Sequence, residues 1–401
     1  MTTDGADVSS ATVAGQVSLA RLTLTDFRCY PSLRLQADAR PIVLSGPNGA
    51  GKTNILEAVS FLVPGRGLRG ARLSDVARSE PGENTDSTRN WAVAAELQTP
   101  RGPVSIGTGR GDSGVGVREK RRVQIDGEAA RSQGALAEHL SAQWLTPQMD
   151  RLFVEGPSAR RRFLDRLVFG FDPAHAGRVS SYEHALRERA RLLRHGQPDS
   201  GRAADPEWLG ALEATMASRG VAVSAARLEL ASRLGELAAN DGAFPGASIA
   251  VSGDVEKWLG DGPALQAEDR FRDALAASRN RDRENAGAAL GPHRSDMVVH
   301  HLGTGQTAAL CSTGEQKALL IALVLANARL QAAERGSLPL LLLDEVAAHL
   351  DEGRRQALFQ EILDLGIQAW MTGTDLALFE PLAQSAQFFG VENAIISATG
   401  P

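Results

Sequence analysis

The sequence predicts an α/β architecture: a phosphate-loop sheet with a flanking β lobe, interrupted by an inserted helical domain that carries a short antiparallel helical arm. Three observations carry this. Gly46-Pro47-Asn48-Gly49-Ala50-Gly51-Lys52-Thr53 fits G-x-x-x-x-G-K-T and stands between the apolar run Pro41-Ile42-Val43-Leu44 and a stretch of helical spacing, 53–59. About 290 residues later, Leu340-Leu341-Leu342-Leu343 has the unbroken apolar character of a strand covered on both faces, and it ends in Asp344-Glu345. Between them, from about residue 160, the texture is helical. A nucleotide site is thus written once at each end of the chain.

Residues 1–16 are small and polar, with neither a basic n-region nor an apolar h-region, so a disordered tail is expected rather than a signal peptide. Residues 17–24 and 33–35 read as strands, and 41–44 enters the phosphate loop. There Gly46, Gly49 and Gly51 let backbone N–H groups approach phosphate, and the following helix N-terminus adds partial positive charge. Lys52 is expected to reach the terminal phosphates and Thr53 the magnesium. The helix should stop before Pro64-Gly65-Arg66-Gly67. Short strands are expected near 91–97, 104–107 and 122–125, the last turning at Asp126-Gly127, with the Gly- and Arg-rich run 107–122 as a loop.

Asp205-Pro206-Glu207 is a helix start, with Asp as N-cap and Pro in the first turn. Leu209, Leu212, Met216, Val223, Leu230, Leu234 and Leu237 then keep helical spacing as far as Asn240. At ~1.5 Å per residue this helix is ~50 Å long, one arm of an antiparallel hairpin with 182–194. After Asp296 strands return. The expected division is a discontinuous head, 17–150 and 290–401, and a helical domain, 151–289.

In a doubly wound sheet, ligand chemistry sits at strand ends. Asp344 suits a magnesium shell there, and Glu345 suits a general base that polarises water. Ser312-Thr313-Gly314-Glu315-Gln316-Lys317 precedes the apolar run 318–326, a buried helix. Ser with Glu three residues on is also a plain capping box. The segment's position about 32 residues before Asp344 makes it resemble the signature of ABC-type ATPases, in which one subunit's signature closes over the γ-phosphate bound by another. Asp351 falls where that family has its D-loop.

Taken in order, Leu24-Thr25-Asp26-Phe27-Arg28-Cys29-Tyr30, the loop through Asn54, 156–165, Gly291-Pro292-His293-Arg294-Ser295-Asp296, the signature, 343–351 and 372–375 resemble the RecF family, recombination-repair ATPases related to SMC heads. The resemblance runs from about residue 17 to 389. It implies ATP and Mg2+ as cofactors, with Lys52 and Glu345 catalytic. ATP would be held by Gly46, Pro47, Asn48, Gly49, Ala50, Gly51, Lys52, Thr53 and Asn54, and across the closed site by Ser312, Gly314, Glu315 and Asp351. Thr53, Asp344 and Gln148 would hold the metal. Gln148, in Leu145-Thr146-Pro147-Gln148, is the candidate Q-loop glutamine, with a surface glutamine as the alternative. Where many ABC ATPases carry a switch histidine, this chain has Met371-Thr372-Gly373-Thr374-Asp375, which leaves Thr374 or Asp375 for that place.

The resemblance further implies a cytoplasmic, ATP-dependent homodimer with slow, DNA-dependent ATPase activity. It would act on gapped, duplex or junction DNA without sequence preference, work with RecO and RecR to load RecA, and influence the SOS response. The rivals are a transporter nucleotide-binding subunit, another SMC-like structural ATPase, and a phosphate-loop kinase. A transporter subunit would have a much shorter interval than the 260 residues from Lys52 to Ser312, an SMC protein one of several hundred, and a kinase no use for a signature.

At 401 residues and 43% hydrophobic the chain can bury ample core, and its net charge of −5 makes it no polycation. DNA binding would need a local patch. Residues 151–202 offer 11 Arg against 6 acids, and the alternative is a solvated helix face with intrahelical ion pairs. Only Lys52, Lys120, Lys257 and Lys317 are lysines, so a composition bias toward Arg explains the excess more simply than recognition does. Cys29 and Cys311 have no metal spacing, and apolar runs fall short of the ~20 residues a membrane span needs.

Overall fold

The computed structural model describes residues 16–78, 89–111, 121–195, 205–239, 242–285 and 287–400. Strands β1 (Ser18–Phe27) and β2 (Tyr30–Gln36) form a hairpin, and β3 (Ile42–Ser45) feeds the phosphate loop and helix α1 (Lys52–Ser60). A short α2 (Leu73–Val76) precedes β4 (Ala92–Thr99), β5 (Gly102–Arg110), β6 (Arg121–Ile125) and β7 (Glu128–Ala129). These strands make a six-stranded antiparallel sheet, β2-β1-β4-β5-β6-β7. Strand β5 runs on to Arg110, so the expected loop is shorter at both ends, and its middle, 112–120, lies outside the described residues, as does the expected tail over 1–15. Gln16 is no part of a tail: its amide donates to the carbonyls of Ala39 and Gly366 at 3.1 and 2.6 Å.

The chain returns through β8 (Ala142–Leu145), then α3 (Pro157–Phe169), α4 (His175–His195), α5 (Pro206–Ala238), β9 (Ala247–Ser252), α6 (Asp254–Asp261), α7 (Ala264–Ala277) and α8 (Arg279–Glu284). It closes with β10 (Asp296–His301), α9 (Thr313–Arg335), β11 (Leu340–Leu343), α10 (Glu352–Leu365), β12 (Ala369–Gly373), β13 (Gln387–Glu392) and β14 (Ile395–Ala398). The second sheet, β14-β13-β3-β12-β11-β8, is parallel except for the edge strand β14.

Alternation along its strands divides two cores. Ile42, Leu44, Leu340, Leu342 and Trp370 pack with Ile55, Leu56 and Val59 of α1 and with the inner face of the antiparallel sheet, so α1 lies between the two sheets. Val43, Leu341, Leu343 and Met371 face the other way, onto α9, α10 and α3. A third cluster, with Tyr182, Met216 and Phe271, holds α4, α5 and α7 together. Among the described residues no helix is long and apolar enough to cross a membrane.

Two strands are additions to the sequence reading. Strand β8 is four buried residues with no alternation, recognisable through its parallel pairing with β11. Strand β9 sits inside the region expected to be helical and pairs antiparallel with β10. Helices α4 and α5 do form the expected antiparallel pair, with Asp205 capping α5. Yet α5 also packs on α6, α7, α9 and β9, so it is the spine of a bundle rather than a free arm.

Candidate active site

Parallel strands β3, β11 and β12 present their carboxyl ends at one edge of the sheet, and this brings the phosphate loop, Asp344-Glu345 and Thr372 together. The loop is tightly built. Gly51 has φ 114°, and a Cβ there would lie 2.6 Å from the Tyr30 hydroxyl, which donates to the Gly51 carbonyl at 3.2 Å. Burial raises the Tyr30 phenol far above its usual value, so it remains a donor. From the other side, the Ala394 N–H donates to the Ala50 carbonyl at 3.2 Å. Pro47, Asn48 and Gly49 are left exposed, beside an open cleft of ≈450 Å³ that also meets Val391, Asn393 and Ile395.

Lys52 is buried, and its Nζ donates to the carbonyls of Gly46 and Pro47 at 2.6 and 3.0 Å. Burial pulls its ammonium below the ordinary lysine value, and the carboxylates of Glu345 and Asp344 oppose the shift. The cradle fits a polyphosphate: the backbone turn is held from both sides, and the cation already lies over it. Asn54, in the first turn of α1, binds Cys29 Sγ at 3.1 Å and accepts from Arg69 at 2.9 Å.

Asp344 is the hub. Its Oδ1 accepts from the Thr53 hydroxyl at 2.8 Å and from the Thr372 hydroxyl at 2.9 Å. Thr372 in turn accepts the Glu345 N–H at 2.9 Å, and Glu345 takes φ 52°, a left-handed conformation costly for a side-chain-bearing residue. Thr374 and Asp375 are both exposed, and Asp375 caps the next turn by accepting the Ala377 N–H at 2.9 Å. The residue that touches Asp344 is thus Thr372, near the end of β12, which sequence reasoning passed over. Its only signal there was a polar residue at the buried end of an apolar strand. A hydroxyl and a carboxylate are hard oxygen donors and suit magnesium, which usually takes one or two protein carboxylates and completes its shell with phosphate and water.

Strand β8 leads to a 3-10 turn, Pro147–Arg151, that carries Gln148, which is exposed. The Asp344 N–H donates to the Leu145 carbonyl at 2.9 Å, so Gln148 leaves the sheet beside the acidic strand end. The neighbouring Asp150 pairs with Lys317 of α9 at 3.3 Å and ties this turn to the signature helix. Ser312 does form the capping box: its hydroxyl accepts the Glu315 N–H at 3.4 Å, and Glu315 accepts the Ser312 N–H at 2.8 Å. That bonding holds the Glu315 carboxyl below its usual range. Ser312, Thr313 and Gly314 are exposed, and among the described residues none of their hydrogen bonds reaches the phosphate loop. Asp351, also exposed, caps α10 by accepting the Arg354 N–H at 2.9 Å, and Arg354 reaches the Gly314 carbonyl at 3.3 Å.

The arginine-rich stretch is largely neutralised within the fold. Arg187 pairs with Glu183 at 3.5 Å and Arg191 with Glu188 at 2.7 Å, each on its own helix. Arg160 binds Asp296, Arg178 binds Asp172, and Arg189 is fully buried between Glu213 and Asp282. Arg166 lies 4.2 Å from the Trp144 ring centre, and desolvation brings its guanidinium down to about 9. Arg202 lies outside the described residues. The solvated, ion-paired helix face therefore describes this stretch better than an open basic patch.

The RecF/RecN/SMC N-terminal domain family matches residues 18–396. The DNA replication and repair protein RecF of Mesorhizobium japonicum (strain LMG 29417 / CECT 9101 / MAFF 303099) is 48% identical over 392 residues, 96% of this chain and 98% of its own length. The RecF of Rhizobium meliloti (strain 1021) is 47% identical over 386 residues, 95% and 99% of the two chains. A solved structure of the recombination mediator protein RecF-ATP in the RecFOR pathway superposes with a TM-score of 0.79 at 20% identity, covering 98% of this chain and 100% of its own.

Proposed function

Because the chain belongs to the RecF family, within the wider RecF/RecN/SMC group, we propose that it is an ATP-driven DNA-binding dimer of recombinational repair and replication. The observation that carries this is the 2.8 Å bond from Thr53 to Asp344, which closes one nucleotide site from segments 291 residues apart. The head spans 17–150 and 290–401, and 151–289 is the helical domain. Lys52 leaves the Gly46 and Pro47 carbonyls for the β- and γ-phosphates, while the loop from Gly46 to Asn54 wraps the phosphate chain with those of its backbone N–H groups that the turn itself does not use. Thr53, Asp344 and Gln148 would hold Mg2+, which would supply charge neutralisation on the phosphate oxygens. Glu345 orients and deprotonates the attacking water, its backbone set by Thr372. Ser312, Gly314, Glu315 and Asp351 of a second copy complete the site; Ser312, Gly314 and Asp351 are exposed, and among the described residues no hydrogen bond joins any of the four to their own phosphate loop.

On this reading ATP closes two copies on gapped, duplex or junction DNA, and slow, DNA-stimulated hydrolysis releases them. RecO and RecR are the partners in loading RecA, with an effect on the damage response. The test is Glu345→Gln. It should bind ATP with wild-type affinity yet accumulate as a stable ATP-dependent dimer, with phosphate release reduced at least about 100-fold. Wild-type turnover would remove Glu345 from the base role.

A further inference from the structure

The stretch after α1, residues 61–74, contains three arginines and no acid. It is fixed from beneath. Glu57 of α1 is fully buried, and its carboxylate binds Arg28 at 2.6 Å and Arg69 at 2.9 Å. Arg69 also reaches the Asn54 side chain at 2.9 Å, two residues beyond Lys52. Bonds from the Leu68 N–H to the Ser60 hydroxyl (2.6 Å) and from the Trp91 indole to the Leu73 carbonyl (2.8 Å) fasten the segment to α1 and to the antiparallel sheet. On this frame Arg66 and Arg72, three residues to either side of Arg69, are exposed, and among the described residues neither side chain has a hydrogen bond or ion pair. They contrast with Arg187 and Arg191, whose charges are already met by acids on their own helix.

We propose that this loop is a contact for the DNA backbone, with Arg66 and Arg72 each gripping a phosphodiester. An unpaired guanidinium keeps its whole fork of donors for phosphate oxygens, and a rigid base lowers the entropy lost on binding. On a chain of net charge −5, attraction to a polyanion must come from such a local site. Through Asn54 and Glu57, Arg69 ties the contact to the helix that begins in the phosphate loop, so nucleotide and DNA bear on elements fastened to each other. The inference rests on the DNA-binding reading above.

The test is a salt titration of duplex binding by the full chain with ATP, followed by fluorescence anisotropy. Arg66→Ala/Arg72→Ala should flatten the log–log slope by about 1.8 units, so that wild type loses about 12-fold more affinity than the variant between about 50 and 200 mM salt. Arg66→Lys/Arg72→Lys should keep the wild-type slope, and both variants should keep wild-type ATP affinity. Each single alanine variant should show about half the change, which decides the matter even if the double variant folds poorly. An unchanged slope in the alanine variants overturns the proposal and leaves the DNA-binding reading in place. A wild-type chain that binds no duplex with ATP overturns both.

Discussion

Thr372 joins the two acids at the strand end: one hydroxyl donates to Asp344 and accepts from the Glu345 backbone. A left-handed Glu345 persists because its N–H has this fixed partner. Thr372→Val keeps the shape and removes both bonds. We expect kcat for ATP hydrolysis to fall about 10- to 100-fold, the usual loss when an outer support of a metal site goes, with ATP affinity within about 2-fold. Thr372→Ser should recover most of the rate. A valine variant with wild-type kcat would show that Glu345 is held by the rest of its turn.

Helix α9 has two demands on its N-cap residue. As a cap, Ser312 needs only a short side-chain acceptor, and Asn serves as well, so Ser312→Asn should leave thermal stability within about 0.5 kcal/mol. As a group meeting a partner's γ-phosphate, Ser312 has to be small and donate from one position. Asn there should reduce ATP-dependent dimerisation and hydrolysis at least about 10-fold, measured by size-exclusion chromatography and phosphate release. An Asn variant with wild-type turnover would leave Ser312 a cap and no more. Through Lys317 and Asp150 the same helix is tied to the turn carrying Gln148, so a tilt of α9 is felt beside the acidic strand end.

Across the whole molecule, two segments that carried the family resemblance meet as a clasp between helices and head. Asp165 of α3 accepts two bonds of 2.8 Å from Arg227 of α5 and one of 2.8 Å from His175 of α4. Arg227 also donates to the Pro292 carbonyl, Arg160 binds Asp296, and Arg161 donates to the Ser295 carbonyl. Desolvation raises the Asp165 pKa, but Arg227 and His175 outweigh it and hold the carboxyl below its usual range. Its stabilisation is therefore complete above the unfolded aspartate value of about 3.9 and is lost as pH falls through the lower folded value. Asp165→Asn should cost about 3–5 kcal/mol at pH 7, because it leaves Arg227 buried without its counter-ion. In urea denaturation the gap between wild type and variant should be constant above about pH 5 and shrink below about pH 4. A gap unchanged down to about pH 3 would mean that packing, and not charge, is what the substitution removes.

The phosphate loop, the acidic strand end and the capped start of α9 were legible in the sequence because each is a local demand. A loop in which a Cβ at Gly51 would strike Tyr30 demands glycine, and a strand buried on both faces favours an apolar run such as 340–343. What the tertiary structure decided was partnership. Strand β8 has no alternation to announce it and β9 is six residues within a helical stretch, and each exists through the neighbour it pairs with. Arginine looks the same in sequence whether an acid one helical turn away neutralises it, as at Arg191, or a buried carboxylate fixes its neighbour and leaves it without a side-chain partner among the described residues, as at Arg66. Local backbone chemistry repeats wherever its motif does, whereas the fate of a charge depends on which side chains the fold carries to within a few ångströms of it.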